Sequence, residues 1–287
     1  MKHWRFFPLL VKEEVLKNMD SSDRLSLSKC SKKCRNLLYR IPNHLESFIV
    51  PSDNQLSVDD FLILMTCQKS TIQRFEVKIK TADEKDQVNQ FLLKLNKVRN
   101  TIKVKLLIME FSPEYSEMFK KCIDFCDPSF IESIQIDKLD SQEIYEDILK
   151  TPQWKNSRMV TLNWYFNGLL KVNVNDVLHF TSIRMKVEEL SVDDAWKLVQ
   201  KIVSTESKKD CFGIRSQIPM KIDLIRHKIE TELVGNWKDV GSSGGRYLKH
   251  PENPNQILAY KLRWDGFCFG FLTQEQFDVL RFGLVDR

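Results

Sequence analysis

The sequence predicts a chain of mixed α+β and α/β class: a small all-helical segment first, a β/α repeat domain behind it, and a β-hairpin near the C-terminal end. Three observations predict it. Between Phe7 and Pro42, short apolar stripes fall at helical spacing and are bounded by prolines. From about residue 70, short β-like runs alternate with helical stretches at a near-constant interval. Close to the end, two runs of alternating apolar residues flank Asp265-Gly266. The boundaries that follow are 1–48 for the helices, 49–220 for the repeat domain and 221–287 for a C-terminal cap, with the hairpin at 257–272.

Composition narrows the class. The 287 residues are 42% hydrophobic and 29% charged, as in an ordinary globular protein. Nine glycines and nine prolines are too few for a turn-rich sandwich or a low-complexity chain. The longest apolar runs, such as Leu106–Met109, fall far short of the roughly 18 residues that cross a bilayer. Met1-Lys2-His3-Trp4-Arg5 is not followed by a long apolar segment, so no secretory signal is expected, and the expected location is cytoplasmic, nuclear or both. An odd count of seven cysteines then reads as reduced thiols. Cys30/Cys34 and Cys122/Cys126 have i, i+4 spacing, but no histidine lies near either pair. They read as small apolar residues on helix faces, and no metal is expected.

The helical segment comes first. Pro8 suits the start of a helix, where its missing N–H has no partner. Val11, Val15, Leu16 and Met19 then form one apolar stripe. Asp20-Ser21-Ser22-Asp23 stops that helix and offers caps for the next, which carries Leu25, Leu27, Cys30, Cys34, Leu37 and Leu38 before Pro42. Residues 1–40 hold ten Lys/Arg against four acids, a net of +6, so the remainder sums to −1 against the total of +5. Lys29, Lys32, Lys33 and Arg35 are the centre of this basic segment. Such a segment suits nucleic acid or an acidic protein surface, though it lacks the interleaved aromatics of a single-strand binder. Two or three short helices have too little core to stand alone, so they must dock on something.

These residues resemble a known module. Phe7-Pro8-Leu9-Leu10, then Val15-Leu16-Lys17-Asn18-Met19-Asp20, then Leu25-Ser26-Leu27-Ser28-Lys29-Cys30-Ser31-Lys32-Lys33-Cys34-Arg35 are similar to the F-box, in the wording of the large nematode families. Phe7 stands where the F-box more widely has Leu, and Cys34 where many have Trp. The resemblance implies binding to a Skp-family adaptor and, through it, to the cullin of a ubiquitin ligase. It implies that Pro8, Leu9, Leu10, Val15, Leu16, Met19, Leu25 and Leu27 lie on or behind that surface.

The repeat domain follows. Its β-like runs are 74–79, 102–108, 131–136, 159–162, 183–187 and 211–214, with centres separated by 29, 28, 28, 25 and 27 residues. That interval lies within the roughly 20–29 residues of leucine-rich repeats, without their asparagine ladder, so the expected architecture is leucine-rich-repeat-like. The intervening helices have starts: Thr81-Ala82-Asp83-Glu84 reads as a capping box, Ser112-Pro113 as cap and first-turn proline, and Ser141 and Ser191 as further caps. Strand–helix alternation favours a parallel sheet backed by helices. Within this stretch, Asp127-Pro128-Ser129-Phe130-Ile131-Glu132-Ser133-Ile134, Gln153-Trp154-Lys155-Asn156-Ser157, His179-Phe180 and Met185–Asp194 are similar in order and spacing to the FTH domain, also called DUF38, over about residues 122–214. The resemblance identifies the chain as a nematode F-box A protein, and it implies protein recruitment without naming a target-binding residue.

Trp154 and His179 read as packing residues, and Trp164-Tyr165-Phe166 and Trp196 as packing or contact aromatics. In the tail, Leu258, Tyr260, Leu262 and Trp264 alternate before a two-residue turn at Asp265-Gly266, and Phe267, Phe269 and Phe271 alternate after it. Gly241-Ser242-Ser243-Gly244-Gly245-Arg246 lacks phosphate-loop spacing and reads as a surface loop.

No HExxH, GxSxG, GxGxxG or CxxC motif occurs, and the five histidines are scattered, so neither catalysis nor a cofactor is expected. Three functional classes remain: a substrate-recognition subunit of a Skp–cullin–F-box ubiquitin ligase, which the resemblance favours; an F-box scaffold protein with no ligase role; and, least favoured, a nucleic-acid binder using the basic N-terminus.

Overall fold

Proline and cap residues set the first boundaries. The computed structural model describes residues 7–51, 58–65, 67, 69–98, 101–163, 166, 170–204, 211–233, 235, 237–240, 245–249, 256–263 and 265–273. Pro8 precedes α1 (Leu9–Lys17). The Asp20 carboxylate accepts from the Asp23 N–H at 2.7 Å and caps α2 (Ser21–Cys30). Ser31 is extended between α2 and α3 (Lys32–Leu38), and its hydroxyl accepts from the Cys34 N–H at 3.1 Å.

The chain forms two compact units, residues 1–135 with 150–156, and residues 136–149 with 157–287. In the first unit the three helices lead directly into β1 (His44–Val50), α4 (Val58–Met65), β2 (Thr71–Ile79), α5 (Ala82–Val98), β3 (Lys103–Phe111), a 3-10 turn at Pro113–Tyr115 and α6 (Met118–Asp124). β1, β2 and β3 pair in parallel, Val50 opposite Val77 and Val77 opposite Met109. Parallel neighbours need crossovers, and α4 and α5 supply them. The repeat thus starts earlier than the expected residue 70. His44–Val50 hides itself in the sequence because its burial does not alternate cleanly and it begins two residues after Pro42.

Phe48, Phe61, Phe75 and Phe91, from β1, α4, β2 and α5, are buried together. Phe48 and Phe61 stack at 3.8 Å between centroids, and Phe91 lies 5.5–5.9 Å from the other three. Thr81 and Glu84 form the expected capping box: the Thr81 hydroxyl accepts from the Glu84 N–H at 3.3 Å, and the Glu84 carboxylate accepts from the Thr81 N–H at 3.1 Å. Ser112 behaves otherwise. Its N–H donates to the Ile79 carbonyl at 2.7 Å, so it extends the sheet, and the helix expected there opens only as a 3-10 turn before α6.

β4 (Ser133–Asp137) runs across the division of the chain; α7 (Gln142–Leu149) belongs to the second unit and α8 (Pro152–Asn156) to the first. The second unit continues with β5 (Met159–Leu162), β6 (Ser182–Val187), α9 (Val192–Ser204), β7 (Cys211–Ser216), α10 (Ile222–Glu232), β8 (Lys238–Val240), β9 (Gly245–Lys249), β10 (Gln256–Arg263) and β11 (Gly266–Thr273). Its strands lie in the order β5-β6-β7-β11-β10-β9-β8. The first three are parallel; β11 joins β7 antiparallel and the rest follow as a meander. α9 is amphipathic, with Ala195, Leu198, Val199 and Ile202 fully buried and Ser191 capping its start through the Asp194 N–H.

Arg263 lies opposite Gly266, so the turn between β10 and β11 occupies residues 264 and 265. It falls one residue before the expected Asp265-Gly266, because Gly266 is also paired with Arg215 of β7 and is therefore held in the ladder. Trp264, Trp164, Tyr165 and Gly241–Gly244 lie outside the described residues.

One rung of an asparagine ladder is present. Asn163 follows β5 at φ 52 and is fully buried. Its Oδ1 accepts from the Leu139 N–H at 2.9 Å, its Nδ2 donates to the Leu139 carbonyl, and its own N–H donates to the Ile136 carbonyl at 2.8 Å. A lone asparagine, unrepeated at the same offset elsewhere, leaves no signature in the sequence. Asn163→Ala is expected to lower unfolding stability by about 2–4 kcal/mol, since it orphans two buried backbone groups and puts alanine at positive φ. Asn163→Gly removes only the first penalty's partners and is expected to cost less; urea denaturation of the full chain checks the order.

Candidate functional site

Five of the large apolar residues exposed among the described residues fall within nine positions of one another: Phe7, Leu9, Leu10, Val11 and Val15. Leu10 is 77% exposed and Leu9 50%. A contiguous apolar surface of this kind marks an interaction site. The expected stripe of Val11, Val15, Leu16 and Met19 is divided. Leu16 is fully buried and Met19 half-buried on the opposite side of α1, where they meet Leu27, Leu38, Ile41, Cys34 and Leu37. Helix α1 therefore has two apolar faces, one filled by its own module and one open.

The eight residues singled out from sequence sort accordingly. Pro8, Leu9, Leu10 and Val15 are exposed. Met19 is half-buried, and Leu16, Leu25 and Leu27 are buried behind the surface. Phe7 and Val11 extend the open face and were legible in the sequence only as part of the same apolar run.

What fixes this ledge is a buried cation that the sequence does not announce. Arg24, 8% exposed, spreads its guanidinium over four oxygens. Nε donates to the Met19 carbonyl at 3.0 Å, Nη2 to the Lys17 carbonyl at 2.8 Å, and Nη1 to the Pro42 carbonyl at 3.0 Å and Asn43 Oδ1 at 2.8 Å. The first two close the C-terminal end of α1, whose last carbonyls have no helical partner. Burial lowers the guanidinium's proton affinity and the Asp20 charge opposes that shift. Asn43, in turn, donates from Nδ2 to the Leu64 carbonyl at 2.8 Å, and its N–H donates to the Ser70 hydroxyl at 3.0 Å. One chain of hydrogen bonds thus runs from the ledge through Arg24 and Asn43 to the end of α4 and the start of β2. Lys29 adds an ion pair to Asp60 of α4 at 3.2 Å. Lys32, Lys33 and Arg35 remain exposed on α3.

The other candidates are packing residues. Trp154 is 1% exposed and Phe180 is buried against the ring of His179 at 3.9 Å between centroids. Cys122 and Cys126 are fully buried on α6 and just past it; burial pushes the Cys122 thiol up to about 12 and the Cys126 thiol further up. Thiols so shifted are small apolar groups at neutral pH.

The outer face of the first unit's sheet balances its own charge. Glu76, buried on β2, receives Arg74 at 2.9 Å and Lys78 at 2.6 Å. Burial would raise its pKa, but the hydrogen bonds and charges of Lys78 and Arg74 outweigh it, so the carboxyl sits below its usual 4.5. A depressed carboxyl contributes stability above its unfolded pKa and loses it as the pH falls through the folded value. Glu76→Gln is therefore expected to be less stable than wild type at pH 7, by about 1 kcal/mol. The gap should close as the pH drops below 4.5, as read by urea denaturation across pH 3–7.

No helix among the described residues is long and apolar enough to cross a membrane. Comparison with known proteins places the ledge and its supporting network inside a recognised module. The F-box domain family matches residues 4–45, and the FTH domain family matches residues 85–226, a wider stretch than the motifs that carry the resemblance. A curated relative, F-box A protein 224 of Caenorhabditis elegans, is 21% identical over 251 residues. The alignment covers 70% of this chain and 63% of the relative, so the chain spans less than two thirds of that protein's length. No solved structure matches this chain. With an F-box at its start and an FTH domain behind it, the chain belongs to the F-box proteins of the FTH-bearing kind.

Proposed function

We propose that this chain is the substrate-recognition subunit of a Skp–cullin–F-box ubiquitin ligase. It docks on a Skp-family adaptor through Pro8, Leu9, Leu10, Val15 and the adjoining Phe7 and Val11, with Leu16, Met19, Leu25 and Leu27 holding that surface from behind. The single observation that carries this reading is the open apolar face of α1 within an F-box-matched segment. A Leu-sized side chain buried by a partner contributes roughly 1.5–3 kcal/mol, so a handful of such residues suffices for a stable complex. The surplus positive charge of the segment suits an acidic adaptor and speeds encounter.

The role is positional and needs no catalytic group in this chain. The adaptor side is tied to the first repeats by Arg24, Asn43 and Ser70. A target held by the leucine-rich-repeat-like body is thereby kept at a high effective concentration near a ubiquitin-loaded enzyme. The test is reconstitution: full chain, Skp-family adaptor, cullin and ubiquitin-loading enzymes, assayed for transfer to proteins captured by the chain from its own cells. Ubiquitin transfer that depends on the open face of α1 supports the reading. Capture of the same proteins without adaptor binding contradicts it and favours a scaffold role.

A further inference from the structure

The second unit's sheet has a charge imbalance that the first unit's sheet does not. Strands β5, β6, β7, β10 and β11 contain no Asp or Glu at all. They contain five cations: Arg184, Lys186, Arg215, Lys261 and Arg263. All five stand at positions that alternate with the buried Ile183, Met185, Val187, Ile214, Tyr260 and Leu262, so they share the face turned away from that core.

Strand register places them in two rows. Lys186 is opposite Arg215, Arg215 opposite Gly266, and Gly266 opposite Arg263. Arg184 is opposite Gly213, Gly213 opposite Cys268, and Cys268 opposite Lys261. Neighbouring strands lie about 4.8 Å apart, so Arg184 and Lys261 stand roughly 14 Å apart across a floor made by a glycine and a small thiol. The stem of Arg215 lies over Gly266, its Cγ 3.9 Å from where a Gly266 Cβ would sit. The nearby acid that pairs with this face is Asp265, 3.5 Å from Arg263. On the first unit, by contrast, Glu76 and Glu110 answer Arg74, Lys78 and Lys80. The acids of the second unit are spent on its helices, where Asp193 holds Lys228 and Glu230 holds Arg246.

We propose that this face binds an acidic stretch of polypeptide on the target protein. The inference rests on the reading that the body recruits a target, and it adds the class of sequence recognised. Charge complementarity selects the partner: concentrated like charge with no local counter-charge attracts and steers an oppositely charged segment. A trough about three strands wide accepts one extended chain with alternate side chains reaching the two cationic rows. A polypeptide suits it better than nucleic acid because the aromatics of β7 and β11, Phe212, Phe267 and Phe269, are buried and cannot stack on bases.

The test uses the full chain without adaptor and a fluorescein-labelled peptide of about ten glutamates, read by anisotropy at low and physiological salt. Wild type is expected to bind saturably and more weakly as salt rises. Arg184→Glu with Lys261→Glu is expected to weaken binding about tenfold or more, while Lys32→Glu with Lys33→Glu on α3 leaves it within about twofold. Should the first variant fail to fold by circular dichroism, Arg184→Gln with Lys261→Gln is expected to weaken binding about threefold. Absence of wild-type binding, equal losses in both double variants, or tighter binding of a labelled oligothymidylate through the same residues would overturn the proposal. Adaptor capture measured on the same preparations separates the two readings: adaptor bound without peptide sinks this one alone, and peptide bound without adaptor sinks only the ligase role.

Discussion

Leu9→Asp combined with Leu10→Asp is expected to abolish co-purification of the chain with a Skp-family adaptor while its thermal unfolding stays unchanged. Both side chains are at least half exposed, so neither supports the module's own core. Surface substitutions of this kind stay within about 0.5 kcal/mol of wild type. At an interface the same change removes two apolar anchors, worth roughly 1.5–3 kcal/mol each, and adds two carboxylates to be desolvated. A total beyond about 4 kcal/mol is a thousandfold or more in affinity, which pull-down reads as complete loss. Leu93→Asp is the control. Leu93 is as exposed as Leu9, but lies on α5, and its replacement should leave adaptor capture intact.

Arg24→Met is expected to have the largest effect on stability of any substitution in the helical segment. The methionine fills much of the volume yet leaves the Lys17, Met19 and Pro42 carbonyls and the Asn43 amide oxygen without their donor. Hydrogen bonds to a charged group contribute about 1.5–3 kcal/mol, and buried acceptors left alone cost about 1–3 kcal/mol each, without adding fully. A loss of about 3–5 kcal/mol in urea denaturation is the expected result. Arg24→Lys should rescue only part of it, because one ammonium cannot match a planar fork that reaches four oxygens. The same variant should weaken adaptor binding indirectly, by freeing the C-terminal end of α1. Deleting residues 1–45 is a poor substitute for these point changes, since it removes Asn43, whose carbonyl and side chain hold the start of β2 and the end of α4.

The contrast between Leu10 and Arg24 shows what the sequence makes legible. Apolar spacing and caps located α1, α2 and α3, and Asp20, Ser31, Thr81 and Ser191 all cap as their positions suggest. Which apolar residues of α1 face outward was not legible, because Leu9, Leu10, Val11, Val15, Leu16 and Met19 cover more than one side of a helix. Arg24 was invisible for another reason: in sequence it is one more cation in a basic segment, and only folding brings Pro42 and Asn43 to it. The strands of the repeat were found by their runs, yet β1 escaped because its burial pattern is broken. The cationic face of the second unit escaped composition altogether. Acids on α9 and α10 cancel it in any count along the chain, and only strand register sets Arg184 across from Lys261.

The central claim is that α1 is an unfinished surface completed by an adaptor. Amide hydrogen exchange on the full chain, with and without a purified Skp-family adaptor, tests it most directly. The account predicts that adding adaptor slows exchange across Leu9–Lys17 and into α2, and leaves β2 and β3 as they were. Unchanged exchange through α1 in the presence of bound adaptor, with protection appearing only elsewhere in the chain, would contradict it.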